Sequence, residues 1–351
     1  MTSGLVLYAP NVHTGGGLVL LQALLQAWPD AVPLTAFLDA RARESLALPM
    51  GGQISWVAAS AGQRLRAEFG LRRVSRKEST ILCFHGLPPV LPNRARVIVF
   101  QQNRNYLGLN PLSQFAWRTR LRLAVERLVS RAFRHRVSEY VVQTPAMQRA
   151  VAQWYPLGKL GGNAPVVRIL PFVDAMLGHG QRIGSQPEWD FVYVADGEAH
   201  KNHRTLLAAW QLLAKEGLRP SLALTLSSRD SALKCEIANT SQLRDLQVHD
   251  LGQLPREQVM ALYANARAMI FPSKSESLGL PLVEATHVGL PILAPEMDYV
   301  RDVCVPVQTF DPDSPVSIAR AVKRFLGRPE PCVALRTPAE FWRELLRKGY
   351  A

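Results

Sequence analysis

Cysteine is scarce in this chain. The four residues, Cys83, Cys235, Cys304 and Cys332, are widely spaced and form no CxxC pair. That excludes a disulfide framework and leaves no ligand spacing for a structural zinc site. Long apolar runs are also missing: none approaches the ~20 residues that a membrane-spanning helix needs. The opening residues MTSGLVLYAP lack the basic start and the cleavage site of a secretion signal, so a cytoplasmic location is expected. Acidic residues are sparse in one half only. Residues 1–175 hold 8 Asp+Glu against 21 Lys+Arg, whereas residues 176–351 hold 20 of each. The net charge of +13 therefore sits wholly in the first half. Such asymmetry implies an anionic partner there: a membrane surface, a nucleic acid or an acidic substrate.

What is present describes a folded protein, with 48% apolar and 20% charged residues. A chain of 351 residues is comfortable as two domains. In the first half, LVLYA (5–9), TILCF (80–84), RVIVF (96–100) and YVVQT (140–144) read as strands, with helices at 17–28 and 113–136. The second half repeats the scheme. Strands are expected at 190–195, 221–227, 246–252, 268–272 and 290–295, and helices at 202–215, 256–266 and after Pro281. Strand–helix alternation argues for α/β domains with parallel sheets. The expected layout is a first domain at 1–173, a Gly-containing linker without period at 174–189, and a second domain at 190–335. A C-terminal segment at 336–351, helical near 337–348, could fold back on the first domain. In doubly wound sheets ligands bind outside the carboxyl ends of the strands, so the strand-to-helix loops are where chemistry is sought.

The most informative loop is SKSESLGLPLVEATHVGLPILAP (273–295), directly after the strand AMIFP. Pro281 suits the first turn of a helix, where its missing N–H costs nothing. Main-chain amides near Ser277, Leu278 and Gly279 then stand at a helix start, a ready anion site. Glu276 precedes them and Glu284 lies further into the helix. Two carboxylates beside an anion site suit a ligand that carries both phosphates and hydroxyls, which is a nucleotide sugar. Three glycines, Gly15, Gly16 and Gly17, follow the first strand and would let backbone approach such a ligand. They do not form the GxGxxG dinucleotide fingerprint.

The segment ESLGLPLVE, with two glutamates separated by seven residues, resembles the signature of the family-four retaining glycosyltransferases (glycosyl transferases group 1, of the bacterial surface-polysaccharide type). ATHVGLPILAP is similar to that family's continuation. The resemblance implies the GT-B fold, two Rossmann-like doubly wound parallel-sheet domains facing a central cleft. It also implies transfer of a hexose with retention, from a nucleotide-sugar donor to a glycan or polyprenol-linked acceptor, without a metal or other cofactor, in O-antigen or lipopolysaccharide synthesis. By resemblance Glu276 contacts the transferred sugar, Ser277–Gly279 the diphosphate and Glu284 the ribose. FVYVADGEAHKNHRTLLAAW (191–210) resembles the opening of the family's donor domain, which assigns a donor phosphate to Lys201. Many members carry a Gly-Arg pair just after this strand. Here Ala195 and Asp196 stand in its place, so Lys201 carries more of that work or Arg204 assists. NVHTGGGLVLLQALL (11–25) resembles the glycine loop that closes over the diphosphate. His85, in FHGLPP, is then a catalytic or sugar-contacting residue. A His of many relatives is replaced in FQQNRNY by Gln101 or Gln102, both assigned low-weight sugar or acceptor contacts. VVQTPAMQRAV (141–151) resembles the family's Thr-containing segment after its last strand.

Other constellations are set aside. His200 and His203 have no further ligand cluster to make a metal site. Asp311-Pro-Asp313 looks like a DxD metal motif of another fold but lacks its context and reads as a turn. In WRTRLRLAVERLVSRAFRHRV (117–137), Leu121, Val125, Leu128 and Ala132 share one helix face, with Arg118 and Arg122 directed outward. Such a helix can rest on the cytoplasmic side of an anionic membrane or pack on the core. No recognition motif supports the remaining alternative of a non-catalytic nucleic-acid-binding protein. A sugar-nucleotide epimerase of the same fold is the other alternative.

Overall fold

The computed structural model describes residues 4–108, 111–112, 115, 117–155, 165–172 and 187–331. Most of the expected linker, the expected final helix and Cys332 lie outside the described residues. The first domain runs β1 (Leu5–Ala9), α1 (Gly15–Gln26), β2 (Thr35–Asp39), β3 (Gln53–Val57), α2 (Ala61–Val74), β4 (Thr80–Cys83), β5 (Arg96–Phe100), α3 (Trp117–Ala132), β6 (Glu139–Val142), α4 (Pro145–Trp154) and β7 (Val166–Ile169). The second runs β8 (Trp189–Tyr193), α5 (His203–Lys215), β9 (Leu222–Leu224), α6 (Ser231–Arg244), β10 (Val248–Asp250), α7 (Arg256–Ala264), β11 (Ala266–Ile270), α8 (Leu280–His287), β12 (Ile292–Pro295), α9 (Asp298–Arg301), β13 (Gln308–Phe310) and α10 (Pro315–Phe325).

Each domain is built on a wholly parallel sheet, in the order β3-β2-β1-β4-β5-β6-β7 in the first and β10-β9-β8-β11-β12-β13 in the second. Helices cover both faces, so alternate residues of one strand enter different cores. In β1, Val6 and Tyr8 join Ile81, Val97 and Tyr140 on one side, while Leu7 and Ala9 join Leu20, Leu25 and Phe100 on the other. The second domain has one continuous core, and α5 shows how its periodicity feeds it. Leu206, Trp210 and Leu213 recur at helical spacing and are fully buried, and Trp210 Nε1 donates to the Pro220 carbonyl at 2.9 Å.

These are the two doubly wound domains of the GT-B fold. The strands place their carboxyl ends, and so the loops after β1, β4 and β5 on one side and β8, β9 and β11 on the other, at the rims of the two sheets. The start of α4 joins the domains. Thr144 caps that helix through Met147 N at 3.2 Å and donates to the Ser277 carbonyl of the second domain at 3.1 Å. Ala146 N donates to Asp302 Oδ2 at 2.8 Å, and Arg149 pairs with Asp298.

Helix α3 differs from a core-packed reading. Trp117, Leu121, Val125 and Leu128 are 68%, 62%, 52% and 69% exposed, while Leu123 and Ser130 are the buried positions. Its neighbour α2 likewise exposes Leu65 and Phe69. No helix among the described residues is long and apolar enough to cross a membrane.

Thr144→Val removes both the cap and the bond to Ser277 while keeping the side-chain shape. It is expected to lower stability by about 1–3 kcal/mol in urea denaturation, with Thr144→Ser near the parent.

Candidate functional site

The loop between β11 and α8 owes its shape to Gly279, whose φ of +72° is costly for other residues and whose Cβ would press on Leu282 at 3.1 Å. The helix begins on the next residue. Leu282 N is satisfied by the Gly279 carbonyl, but among the described residues no acceptor takes the amides of Ser277, Leu278 and Gly279. Those donors stand at the positive end of α8.

Lys201 reaches this loop from β8. It closes a single helical turn (Ala199–Lys201), after which Asn202 takes the left-handed conformation, φ +65°. The Asn202 side chain explains that strain. Its Nδ2 donates to the Pro272 and Pro312 carbonyls at 3.1 and 2.7 Å, and its Oδ1 accepts from Thr205. Tyr193 Oη adds a bond to the Lys201 carbonyl, and Lys274 N donates to that of His200. The loop is thereby pinned to the segment after β11, with Lys201 Nζ 2.8 Å from Glu276 Oε1. Ser273 Oγ lies 2.6 Å from the same oxygen, and Tyr299 Oη holds the Ser273 carbonyl at 2.6 Å.

Both members of the pair are charged. Burial works to raise the Glu276 carboxyl, but the Lys201 ammonium, His200 and two hydrogen bonds hold it below its ordinary value. Burial works against the Lys201 ammonium too, and the surrounding carboxylates of Glu276, Asp196 and Glu198 raise it. Glu284 feels only a weaker pull, from Arg256. Burial raises its carboxyl, and Tyr263 Oη donates to its Oε2 at 3.2 Å. Its second oxygen remains a candidate acceptor for a hydroxyl.

The glycine loop belongs to the same place. A Cβ on Gly16 would stand 2.9 Å from Leu280 Cδ1, so the absent side chain lets the first domain close on the start of α8. Gly15 has φ +64° with open space where a Cβ would be, and Gly17 lies against the side chain of Gln102. His85 is buried, with Nδ1 3.2 Å from the Tyr8 carbonyl. A carbonyl only accepts, so Nδ1 carries the proton and Nε2 is the free acceptor. Burial lowers its pKa to about 4 and keeps the ring neutral near pH 7.

Two residues expected at the ligand have protein partners in the structure. Arg204, on the exposed face of α5, forks onto Glu236 at 2.9 Å. Gln101 is fully buried and spends its amide on the Asn103 carbonyl, so Gln102, half-buried and donating to the Phe84 carbonyl, is the glutamine beside the glycine loop. Asp311-Pro-Asp313 is a turn, as expected: Asp313 N donates to Asp311 Oδ1 and Asp313 pairs with Lys274. The residues that sequence reasoning missed are Ser273, Tyr193, Tyr263, Tyr299 and Asn202. Ser273 carried a usable signal, being the first polar residue after β11.

A two-domain α/β protein with a cation–carboxylate pair and open amides at one helix start falls in the class of GT-B folds. Residues 181–340 match the model of the family described as Glycosyl transferases group 1. The serotype-specific mannosyltransferase WbdA of Escherichia coli is 30% identical over 141 residues, 39% of this chain and 17% of that protein. The O-antigen chain mannosyltransferase B of Escherichia coli is 34% identical over 116 residues, 32% of this chain and 30% of that protein. The chain thus spans less than a third of the length of these relatives. Among solved structures, WaaG, a glycosyltransferase involved in lipopolysaccharide biosynthesis, aligns with TM-score 0.66 at 15% identity over 92% of this chain and 90% of that one. Anabaena HepE in complex with UDP and glucose aligns with TM-score 0.63 at 14% identity over 92% and 90%. At such identities the likeness establishes the fold.

His203, beside the site at the start of α5, yields a pH prediction. It is buried against Tyr193 with neither ring nitrogen bonded, and burial together with the Lys201 charge lowers its pKa to about 4. The unfolded chain takes up this proton near the ordinary value of 6.5 and the folded chain does not. Stability therefore falls as pH drops from about 6.5 towards 4, by on the order of 2 kcal/mol at pH 5 for this group. Thermal melts at pH 7 and pH 5 should show a smaller acid-side loss in His203→Phe than in the parent.

Proposed function

We propose that the protein is a retaining glycosyltransferase, a hexosyltransferase that moves a sugar from a nucleotide-sugar donor to a glycan or polyprenol-linked acceptor in cell-surface polysaccharide synthesis. The observation that carries this reading is the Lys201–Glu276 pair at the start of α8, beside the untaken amides of 277–279 and facing the glycine loop. The family match of the second half supports it, as do the two mannosyltransferase relatives and the UDP-bound structural neighbour. Those relatives make mannose the first sugar to try.

In this reading the diphosphate lies on the amides of Ser277, Leu278 and Gly279, with Gly15–Gly17 closing over it and Lys201 beside it. Glu284 takes ribose hydroxyls. Glu276, already fixed by Lys201 and Ser273, takes hydroxyls of the transferred sugar, and His85 Nε2 accepts another from the first domain. The bond from the anomeric carbon to the diphosphate oxygen breaks while the acceptor oxygen bonds on the same face. The acceptor's proton passes to the departing diphosphate, whose charge is met by Lys201 and the helix start instead of a metal. Donors preorganised for developing charge are often worth about 3 kcal/mol each.

We also propose that α3 seats the first domain on an anionic membrane surface. The exposed stripe Trp117, Leu121, Val125 and Leu128, flanked by the exposed Arg120 and Arg122, is the arrangement that lies in a lipid interface. The charge excess of residues 1–175 supports the same placement.

Thermal-shift screening with ADP, GDP, UDP and CDP should find one that stabilises the parent. With the matching sugar donor, Lys201→Ala and Glu276→Ala should each lower kcat/KM by about 100-fold or more, with product of retained configuration and with chelator present. Near-parental rates in both variants would sink the assignment. For the membrane surface, sedimentation with phosphatidylglycerol-containing vesicles should fall with salt and be lost in Leu121→Glu/Leu128→Glu. Salt-independent or absent sedimentation of the parent removes that part.

A further inference from the structure

The site as described is short of positive charge. Lys201 is its buried cation, and that charge is already set against Glu276, with Asp196 and Glu198 acting on it as well. A diphosphate ester brings more negative charge than one committed ammonium can balance. The helix-start amides contribute only a partial charge. Another cation is needed at the rim of the second sheet, and Arg204 is spent on Glu236.

We propose that Arg229 supplies it, as the second cation for the diphosphate of the donor. This rests on the donor reading above and adds a residue to it. Arg229 lies in the loop after β9, at the ligand end of the sheet and in the strand position next to β8. Asp230 fixes that loop by two routes. Its carboxylate closes a capping box with Ser227, and its Oδ2 accepts from Gly197 N at 3.0 Å. A Cβ on Gly197 would stand 2.6 Å from Asp230, so this close approach requires glycine there. The loop of Arg229 is thus fastened to the Asp196–Gly197 turn, in the loop that carries Lys201. The guanidinium is exposed, and no carboxylate pairs with it among the described residues. It also lies close enough to His13, which precedes the glycine loop in the first domain, for its charge to weigh against protonation of that imidazole. Its charge is thus felt in the first-domain segment that leads into Gly15–Gly17.

The test is titration calorimetry with the nucleoside diphosphate, among ADP, GDP, UDP and CDP, that binds the parent, alongside the corresponding nucleoside. Arg229→Gln should weaken the diphosphate by about 10-fold or more and leave the nucleoside unchanged. Arg229→Lys should recover much of the loss, and Arg204→Gln should match the parent. Unchanged diphosphate binding in Arg229→Gln would overturn the assignment. So would an equal loss for diphosphate and nucleoside, which points to the base or to misfolding. A parent that binds none of the four diphosphates would instead remove the donor reading itself.

Discussion

A lysine and a glutamate 2.8 Å apart, both largely out of water, set the geometry of the second domain's ligand edge. Burying either charge alone would cost several kcal/mol, so each holds the other in place. Three hydroxyls and an asparagine complete the arrangement. Ser273 shares the glutamate, Tyr299 holds Ser273, Tyr193 holds the lysine backbone, and Asn202 accepts a left-handed conformation to tie the two loops together. The result is a polar cluster in which the carboxylate has little freedom to move and the amides of the neighbouring helix start stay open.

The first domain meets this edge through small or capping residues. Gly16 gives up a side chain so that its loop can lie on Leu280, and Thr144 uses one hydroxyl both to start α4 and to reach the Ser277 carbonyl. The bond to Ser277 leaves that residue's amide untouched. A contact that joins the domains therefore also orients the turn whose N–H groups are available to a ligand. The charge asymmetry of the chain falls on the same plan. The near-neutral half builds the carboxylate-rich site, and the basic half carries helices α2 and α3 with their exposed apolar residues.

Much of this was legible in the sequence, and several of the exceptions share a cause, although β2 and α10 are well buried and were not expected either. Strands such as LVLYA and RVIVF are buried on both faces and read as continuous apolar runs, so the parallel α/β architecture was plain. α2 and α6 were not seen because they bury few apolar residues: Ala67 and Leu71 in one, Leu233 and Ile237 in the other. The edge strand β3, with alternating exposure, and the three-residue β13 gave equally faint patterns. Among site residues, the spacing of Glu276 and Glu284 around Pro281 and the place of Lys201 before a helix were readable. Arg204 follows Lys201 closely in sequence, but the turn of α5 sets it on Glu236. Tyr193, Tyr263, Tyr299 and Arg229 could not be found from sequence, since their roles depend on which loops the sheet order makes neighbours. On α3, helical spacing identified the apolar stripe but could not say which way it faced.

The central claim is that a nucleoside diphosphate lies on the start of α8 and under the glycine loop. The most direct check is a set of amide nitrogen–proton spectra of the labelled protein, recorded while the bound diphosphate is titrated in. The account predicts that the largest shifts fall on Ser277, Leu278, Gly279 and Gly15–Gly17. Shifts centred elsewhere, with these amides unmoved, would contradict it.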